Sequence, residues 1–224
     1  MNRKRVLYMT LFSTLMFIAS TVSAREFSGG GGSIYFGTGS PNSINAATEL
    51  RDDFDINDES GNFVLGMQGF FQSNRYRIGG AIQAHAWAGF NPGKNEEGDE
   101  TAGVAAVVGG FYSSYAIRHD RMLLNIGAIV GAGRCYLGYS RGDEGGDRHQ
   151  SVSTFFIEPQ ISIGMATCQW FAVEFQLSAP MFILTENLNL IEGPKSYTVK
   201  SSDLIGLNFS VKLTSGKIAN PQRL

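Results

Sequence analysis

Two runs of alternating residues between Ser153 and Ile183 constrain the fold of this chain more than any other feature. Side chains on a β-strand point alternately to opposite faces, and a short reversal near residues 166–169 separates the two runs. The segment therefore predicts an antiparallel hairpin with one apolar and one polar face. The apolar row is Phe155, Ile157, Pro159, Ile161, Ile163, Phe171, Val173, Phe175, Leu177, Ala179 and Met181; the polar row is Thr154, Glu158, Gln160, Ser162, Glu174, Gln176 and Ser178.

Such a hairpin fits either a water-soluble sheet or a barrel wall that stands in lipid around a polar lumen. The order of strands and connections favours the barrel. The pattern predicts eight strands, near residues 33–38, 62–72, 75–90, 103–117 and 122–139, in the two halves of 153–183, and at 203–214. Long polar segments (39–61, 91–102, 140–152 and 185–202) alternate with short turns. In outer-membrane barrels one end has short turns and the other has long external loops. We therefore predict an all-β, eight-stranded antiparallel up-and-down transmembrane β-barrel with four long external loops.

The polar faces of these strands predict the contents of the lumen. Lipid-facing side chains must be apolar, whereas an eight-stranded barrel is just wide enough for side chains to fill it. Buried charges need partners, so we expect a plugged interior of ion pairs and amide hydrogen bonds. A narrow pore or a small-ligand pocket is the alternative. The predicted lumen network comprises Arg77, His85, Glu158, Gln160, Glu174, Gln176 and Lys212.

The first 24 residues predict export. A basic head at residues 3–5 precedes an almost wholly apolar run from Val6 to Ala19, and Val22-Ser23-Ala24 offers the small residues that a signal peptidase reads. The apolar run is shorter than the roughly 20 residues of a membrane-spanning helix. We expect residues 1–24 to be a cleaved signal peptide and residues 25–224 to form a single domain.

The charge of the predicted mature chain bears on its partners. The whole chain has a formal net charge of -2, and loss of the three signal-peptide cations takes it to about -5. An acidic chain of this kind is not expected to bind nucleic acid. The acidic segment Asp53-Phe54-Asp55-Ile56-Asn57 begins like a calcium loop, but it lacks the glycine and the later glutamate of that motif. We predict no metal site and no cofactor.

The final predicted strand carries a resemblance to a known family. It reads Gly206-Leu207-Asn208-Phe209-Ser210-Val211. With the signal peptide, the alternating strands and the long loops, it resembles the small eight-stranded outer-membrane β-barrels of Gram-negative bacteria, a class that includes the OmpA transmembrane domain, OmpX and OmpW. The resemblance implies localisation in the outer membrane, lipid as the surroundings, and recognition of Gly206, Phe209 and Val211 by the barrel-assembly machinery. Leu204 and the continuation to Leu224 depart from the family pattern.

The two cysteines test the topology. Cys135 falls near the outer end of the fifth predicted strand, whereas Cys168 falls in a turn at the opposite end. The hydrophobic band of such a barrel is about 25 Å tall, and a disulfide needs Cα atoms roughly 4 to 7 Å apart. We therefore predict two free thiols.

These observations favour a monomer with a structural or surface-exposed role. The alternatives are a narrow pore, a lipid acyl hydrolase or transferase, and a soluble lipocalin-like periplasmic binder. An acyl hydrolase needs a serine, a histidine and an acid brought together. His85 points to the predicted lumen with no serine at a recognisable motif spacing, and His119 and His149 fall in a turn and a loop. We predict that the protein is not an enzyme.

Overall fold

The computed structural model describes residues 27–41, 61–73, 75–89, 101–119, 121–141, 145–168, 170–192 and 195–216. The predicted signal peptide and the first two predicted long loops lie largely outside these ranges. The strands are β1 (Phe27–Pro41), β2 (Gly61–Ser73), β3 (Tyr76–Gly89), β4 (Thr101–His119), β5 (Met122–Arg141), β6 (Gly145–Cys168), β7 (Phe171–Ser178), β8 (Met181–Leu184), β9 (Leu188–Glu192), β10 (Lys195–Val199) and β11 (Gly206–Gly216). A 3-10 helix covers Ser201–Leu204.

Antiparallel pairing closes the sheet into a ring. Strands β1 to β6 pair with their neighbours in chain order, β6 pairs with both β7 and β8, and β11 joins β7 to β1. Strands β7 and β8 follow each other along one position in the wall. The ring therefore has eight strand positions, which we call staves. Closure pairs the strand edges that an open sheet would leave exposed. The predicted all-β, eight-stranded antiparallel barrel is confirmed.

The two ends of the ring differ in their connections. At one end, here called the turn end, short turns join β2 to β3, β4 to β5 and β6 to β7, and the two ends of the described chain meet there. The opposite end is called the loop end. Its third predicted loop, 140–152, is mostly wrong, because β5 and β6 stay paired as far as Arg141 and Gly145. Alternation failed to reveal these strand ends because their side chains are polar on successive positions.

The fourth predicted loop, 185–202, is also more ordered than expected. It contains the hairpin β9–β10, with Leu188 opposite Val199, followed by the 3-10 helix. A second feature was not predicted: the seventh stave is interrupted at Ala179-Pro180, between β7 and β8. Pro159 on β6 stands beside this break, where its carbonyl accepts a hydrogen bond from the Ala179 N–H at 3.0 Å. Proline has no N–H to return that bond.

The glycine-rich lead before residue 33 is part of β1 and was missed for a clear reason. Glycine is depleted in strands in general, yet Gly31 pairs with both Phe70 and Gly216. A Cβ atom at Gly31 would overlap the carbonyl oxygen of Ser215 on the neighbouring strand. Glycine therefore allows the close approach of β11 that closes the ring.

An apolar belt covers the outside of the ring. Along β6 it runs from Phe155, 47% exposed, to Met165, 55% exposed. Ten residues at about 3.3 Å each, tilted by about 40°, span about 25 Å, which is the height of the hydrophobic band of a membrane barrel. Other exposed members are Ile34, Phe36, Leu65, Met67, Ile82, Val107, Phe111, Ile126, Val130, Ile161, Ile163, Phe175, Leu177, Ile183, Leu207, Phe209 and Leu213.

The barrel lumen as candidate functional site

Seven side chains were predicted to form a lumen network, and all of them are buried inside the ring. Their exposed fractions run from 0% to 8%. The side chains fall into two groups: some lie in a hydrogen-bonded network near the turn end, and others lie in a mid-lumen layer that leads to the loop end. The seven are Arg77, His85, Glu158, Gln160, Glu174, Gln176 and Lys212.

Glu174 is the centre of the turn-end network. One of its oxygens accepts hydrogen bonds from Asn125 and Ser162, each at 2.6 Å, and the other accepts one from Thr214 at 2.7 Å. The Arg77 guanidinium lies 3.9 Å away. Hydrogen bonds to a charged group are stronger than neutral ones, so these donors offset part of the cost of burying the carboxylate. Sequence reasoning missed Asn125 and Thr214 as partners.

The two cations of this half rest on aromatic rings. The Arg77 guanidinium carbon lies 4.7 Å from the centre of the Phe70 ring, and Arg77 Nε also donates to Gln72 at 3.0 Å. The Lys212 ammonium lies 5.5 Å from the Tyr112 ring centre. A cation over an aromatic face is attracted by the ring quadrupole. The lumen therefore combines ion pairing with cation–π contacts.

A mid-lumen layer of amides and one carboxylate lies beyond this network. Gln83 donates to Glu158 and contacts His85 Nε2 at 3.1 Å through its own oxygen. Gln68 reaches across the barrel from β2 to Gln160 on β6, with 3.4 Å between the amides. The Gln83–Glu158 and Gln68–Gln160 contacts cross the lumen between strands that do not pair with each other.

Gln176 extends this layer along the wall. It is 1% exposed and lies opposite Ser162 on β6 and Ser210 on β11. Several buried polar atoms here have no hydrogen-bond partner within the described protein, including both amide atoms of Gln176 and Nε2 of Gln160. The same is true beside Glu174 for Nη1 and Nη2 of Arg77 and Oδ1 of Asn125, so both layers contain unpaired polar atoms.

The loop end of the lumen is apolar, with four rings packed together. The His85 ring stacks on Trp87 at 5.6 Å between centroids, and the Phe182 ring meets both edge-on at 5.0 and 5.2 Å. Phe156 packs on Phe182 at 4.9 Å. We call these four residues the aromatic cluster. Sequence alternation predicted that His85 and Trp87 face inward, but it did not predict that Phe156 and Phe182 do.

The segment 185–204 lies over this cluster as a lid. Leu188, Val199 and Leu204 are at most 2% exposed and belong to the same apolar core as Trp87 and Phe156. Hydrogen bonds attach the lid to the wall: the Leu184 N–H donates to Ser201 Oγ at 2.9 Å, and the Asn189 N–H donates to the Gln150 side chain. The described part of segment 185–204 is therefore packed against the wall and the aromatic cluster.

The predicted assembly residues lie on the strand that closes the ring. Phe209 faces outward, 53% exposed, and stacks on Phe175 of β7 at 6.2 Å. Val211 is half-buried on the same face, and the Gly206 N–H donates to the Pro180 carbonyl at 3.2 Å. This last bond continues the wall beside the break in the seventh stave.

Some aromatic residues lie exposed near the edges of the apolar belt, and others lie in the lumen. Trp170 and Tyr136 are exposed, by 64% and 42%, as interfacial aromatic residues should be. Trp87 and Tyr112, in contrast, are both buried in the lumen. The side chain of Tyr139 lies outside the described residues.

The cysteines stand far apart, as the topology predicts. Both are free; Cys135 pairs with Val152 on β6, whereas Cys168 ends that strand. Sixteen residues of strand between these points span about 50 Å, far beyond disulfide reach. Among the described residues, no group of three or more histidine, cysteine, aspartate or glutamate side chains could hold a metal ion. No helix in the described part of the chain is long and apolar enough to cross a membrane.

Comparisons with known proteins add solved structures of similar architecture. No family model and no curated protein matches the chain. Ail, an outer membrane protein of Yersinia pestis, is 12% identical, covers 85% of this chain and 99% of its own, and has a TM-score of 0.46. Neisserial surface protein A is 11% identical over 84% of this chain and 96% of its own, also with a TM-score of 0.46. The N-terminal barrel domain of Pseudomonas aeruginosa OprF is 7% identical over 84% and 98%, with a TM-score of 0.35. At these values the likeness carries no argument about function, and the following proposals rest on this chain's own residues.

Proposed function

We propose that the protein is a monomeric outer-membrane β-barrel that spans the membrane with its eight staves and has a structural or surface-exposed role. The proposal depends mainly on one observation: charged side chains are buried inside the barrel, whereas its outer face is apolar. Glu174 and Lys212 are at most 1% exposed, whereas Leu207 and Phe209, on the same strand as Lys212, are more than half exposed. A soluble lipocalin-like binder needs the reverse arrangement, because its outer face meets water. Lipid is the solvent that this outer surface fits.

The turn end faces the periplasm in this proposal and the loop end faces the cell exterior. That orientation follows the rule that short turns are periplasmic and agrees with export by the predicted signal peptide. The final strand β11, with Gly206, Phe209 and Val211, is the segment we propose for recognition by the barrel-assembly machinery. It carries that proposal because β11 closes the ring by pairing with β1 and β7. Nucleic acid is not a proposed partner.

We propose a plugged barrel and not a pore. The support comes from three groups of buried side chains that follow one another along the lumen. They are the Glu174 network, the Gln83–Glu158 layer, and the aromatic cluster beneath the lid. Arg77, Glu158 and Phe156 represent the three, and each is 0% exposed. Conduction would require a continuous water-filled path past all of them.

We also propose a role without catalysis and without a cofactor. His85 is 1% exposed and packed among three rings, so a lipid ester cannot reach it without rearrangement of the cluster. His119 is exposed at the turn end, whereas Glu158 and Glu174 are fully buried inside the barrel. Comparing the lipid mass spectra of outer membranes with and without the protein tests this point. A new acylated or deacylated lipid that depends on the protein would overturn it.

Outer-membrane extracts of cells that produce the protein test the membrane assignment. We expect the unheated protein to migrate faster than the boiled protein in detergent gels, as a folded barrel resists detergent at room temperature. We also expect it to remain with the membrane after washing at high salt. Recovery of folded protein in the aqueous phase of a detergent partition would contradict the proposal.

Planar bilayer recording tests the plug. Purified folded protein should insert without discrete current steps. A variant that lacks residues 186–203, with the cut ends joined by a short Gly-Ser linker, has no lid. It keeps the Glu174 network and the Gln83–Glu158 layer, so it should conduct no current either. Regular single-channel steps from the wild-type protein would favour the pore.

A further inference from the structure

Two arginines stand exposed in neighbouring hairpin turns at the turn end. Arg75 lies in the turn between β2 and β3, and Arg121 lies in the turn between β4 and β5. The backbone of each is fixed to the next strand of the wall. The Arg75 carbonyl accepts a hydrogen bond from the Ala116 N–H at 2.6 Å, and the Arg121 carbonyl accepts one from the Ala166 N–H at 2.7 Å. Both turns are therefore set firmly on the rim of the barrel.

The side chain of Arg75 is positioned as well as exposed. Its Nη1 atom donates to the Tyr115 hydroxyl at 3.1 Å, and the Tyr115 ring meets the Tyr76 ring at 5.1 Å and 68°. A guanidinium has five N–H donors, and this hydrogen bond uses one. The exposed remainder can bind an anion with two parallel hydrogen bonds, the geometry that suits a phosphate.

The arginines stand beside the aromatic edge of the apolar belt. Tyr76 is 60% exposed and Trp170 is 64% exposed at the same end of the barrel. Exposed tyrosine and tryptophan mark the level of lipid headgroups in membrane proteins. Arg75, which directly precedes Tyr76, is therefore at headgroup level when the belt sits in a bilayer.

The connections on the two sides of the strands also differ in charge by sequence. Segments 42–60 and 90–100, which follow β1 and β3 in the sequence, are rich in Asp and Glu. The turn between β2 and β3 contains Arg75 as its charged residue, and the Arg118-His119-Asp120-Arg121 turn has an excess of one cation over its aspartate. The turn end is thus the cationic end of an acidic protein.

We propose that Arg75 and Arg121 bind the phosphodiester headgroups of anionic phospholipids in the leaflet that surrounds the turn end. This inference rests on the proposed membrane-spanning role and adds a lipid class and two binding residues to it. Each arginine takes one headgroup, and Tyr115 is a positioning residue for Arg75. A basic residue near an anionic membrane surface typically strengthens binding about fivefold.

Native mass spectrometry of the mature chain, folded in a neutral detergent, tests the proposal. Phosphatidylglycerol and phosphatidylcholine of matched chain length are titrated separately, and the retained lipids are counted. We expect phosphatidylglycerol to bind more tightly, and each of Arg75→Gln and Arg121→Gln to weaken that binding about fivefold. The matched control is Lys200→Gln, which removes an exposed cation of the lid, at the opposite end of the barrel, and should leave the lipid count unchanged.

Two further variants separate charge from position. Tyr115→Phe keeps the charge of Arg75 but removes its hydrogen-bond partner, so we expect a smaller loss than with Arg75→Gln. Arg75→Lys keeps the charge without the planar fork and should also lie between wild type and Arg75→Gln. Neither change should affect phosphatidylcholine binding.

Three outcomes would overturn the inference. They are equal binding of the two lipids by the wild type, unchanged phosphatidylglycerol binding in the Arg75→Gln/Arg121→Gln double variant, and displacement of the lipid by inorganic phosphate at equal concentration, which would indicate a free-anion site. Each sample is first checked for heat-modifiable migration. A folded barrel without lipid preference refutes this inference alone, whereas a chain that never enters membranes refutes the proposed function too.

Discussion

The two halves of the lumen are filled by opposite chemistry. Near the turn end Glu174 accepts three hydrogen bonds and faces Arg77, so every contact depends on a donor and an acceptor at a set distance. Near the loop end, the aromatic rings of Trp87, Phe156 and Phe182 pack against one another inside the barrel. A polar network fails when one partner is lost, because the other is left buried and unpaired. An apolar cluster loses contacts more gradually.

The lid explains why the loop end can be apolar. A lumen open to water would expose Trp87 and Phe182, but Leu188, Val199 and Leu204 cover them. The described connections at the turn end are turns too short to fold over the opening. The two halves can be probed separately, because the chain has two tryptophans, with Trp87 inside the loop end and Trp170 outside the turn end.

The largest effect is expected from Glu174→Ala. It leaves Arg77 buried without its carboxylate and removes the acceptor for Asn125, Ser162 and Thr214. We expect a loss of about 4 kcal/mol in the free energy of unfolding, measured by urea titration of the barrel in lipid vesicles.

Glu186→Ala is the matched control, because Glu186 is an exposed carboxylate and its loss should change stability by less than about 0.5 kcal/mol. Combining Arg77→Leu with Glu174→Leu should restore part of the stability, since neither charge then remains unpaired. Equal costs for Glu174→Ala and Glu186→Ala would mean that the network does not stabilise the turn end.

A smaller and more local effect is expected from Leu188→Ala in the lid. Truncating a fully buried leucine typically costs about 2 to 3 kcal/mol, and here the cost should fall on docking of the lid. In a Trp170→Phe background, the fluorescence of Trp87 should shift towards that of a tryptophan exposed to water. A protease should also cut within residues 185–204 sooner than it does in the protein with Leu188.

Asn187→Ala, at an exposed neighbouring position, should change neither signal. In the reverse background, with Trp87→Phe, the Trp170 signal should not respond to Leu188→Ala. A shift of both tryptophans would contradict the separation of the two halves.

The smallest effect concerns the boundary between the halves, where β6 passes from β7 to β8. Pro159→Val supplies the missing N–H opposite the Ala179 carbonyl, while the side chain still faces outward. One added hydrogen bond should stabilise the barrel by about 1 kcal/mol and slow hydrogen exchange at Ala179.

Ala132→Val is the control, because it adds a similar lipid-facing side chain on β5 without adding an N–H. Unchanged exchange at Ala179 in the Pro159→Val variant would show that Pro180 alone keeps the stave broken.

Prediction from sequence worked best where the two faces of a strand meet different surroundings. Alternation placed Gln83, His85 and Trp87 inside and Ile82 outside, because lipid on one side and a polar lumen on the other select opposite residues. It was ambiguous on β4 and β5. There the inward side chains Ala106, Val108, Ile129 and Leu137 are apolar too, since they belong to the apolar core of the lumen.

The same limit accounts for the errors at the loop end. Around residues 145–150 the sequence is polar on successive positions, so the extension of β6 carried no alternation. Leu188, Val199 and Leu204 carried no signal either, because their spacing matches neither a helix nor a strand. Their burial depends on contact with Trp87 and Phe156, which are distant in sequence.

By itself, the sequence determined that this chain forms a closed sheet with an inside and an outside, because every second residue must suit the same surroundings along each stave. Only the tertiary structure decided which lumen residues meet. Glu174 reaches Asn125, Ser162 and Thr214 because register and closure bring β5, β6, β7 and β11 to the same level. Alternation specifies the direction of a side chain, whereas a hydrogen bond also depends on the height at which its strand lies, and that height is set by the pairing of the whole ring.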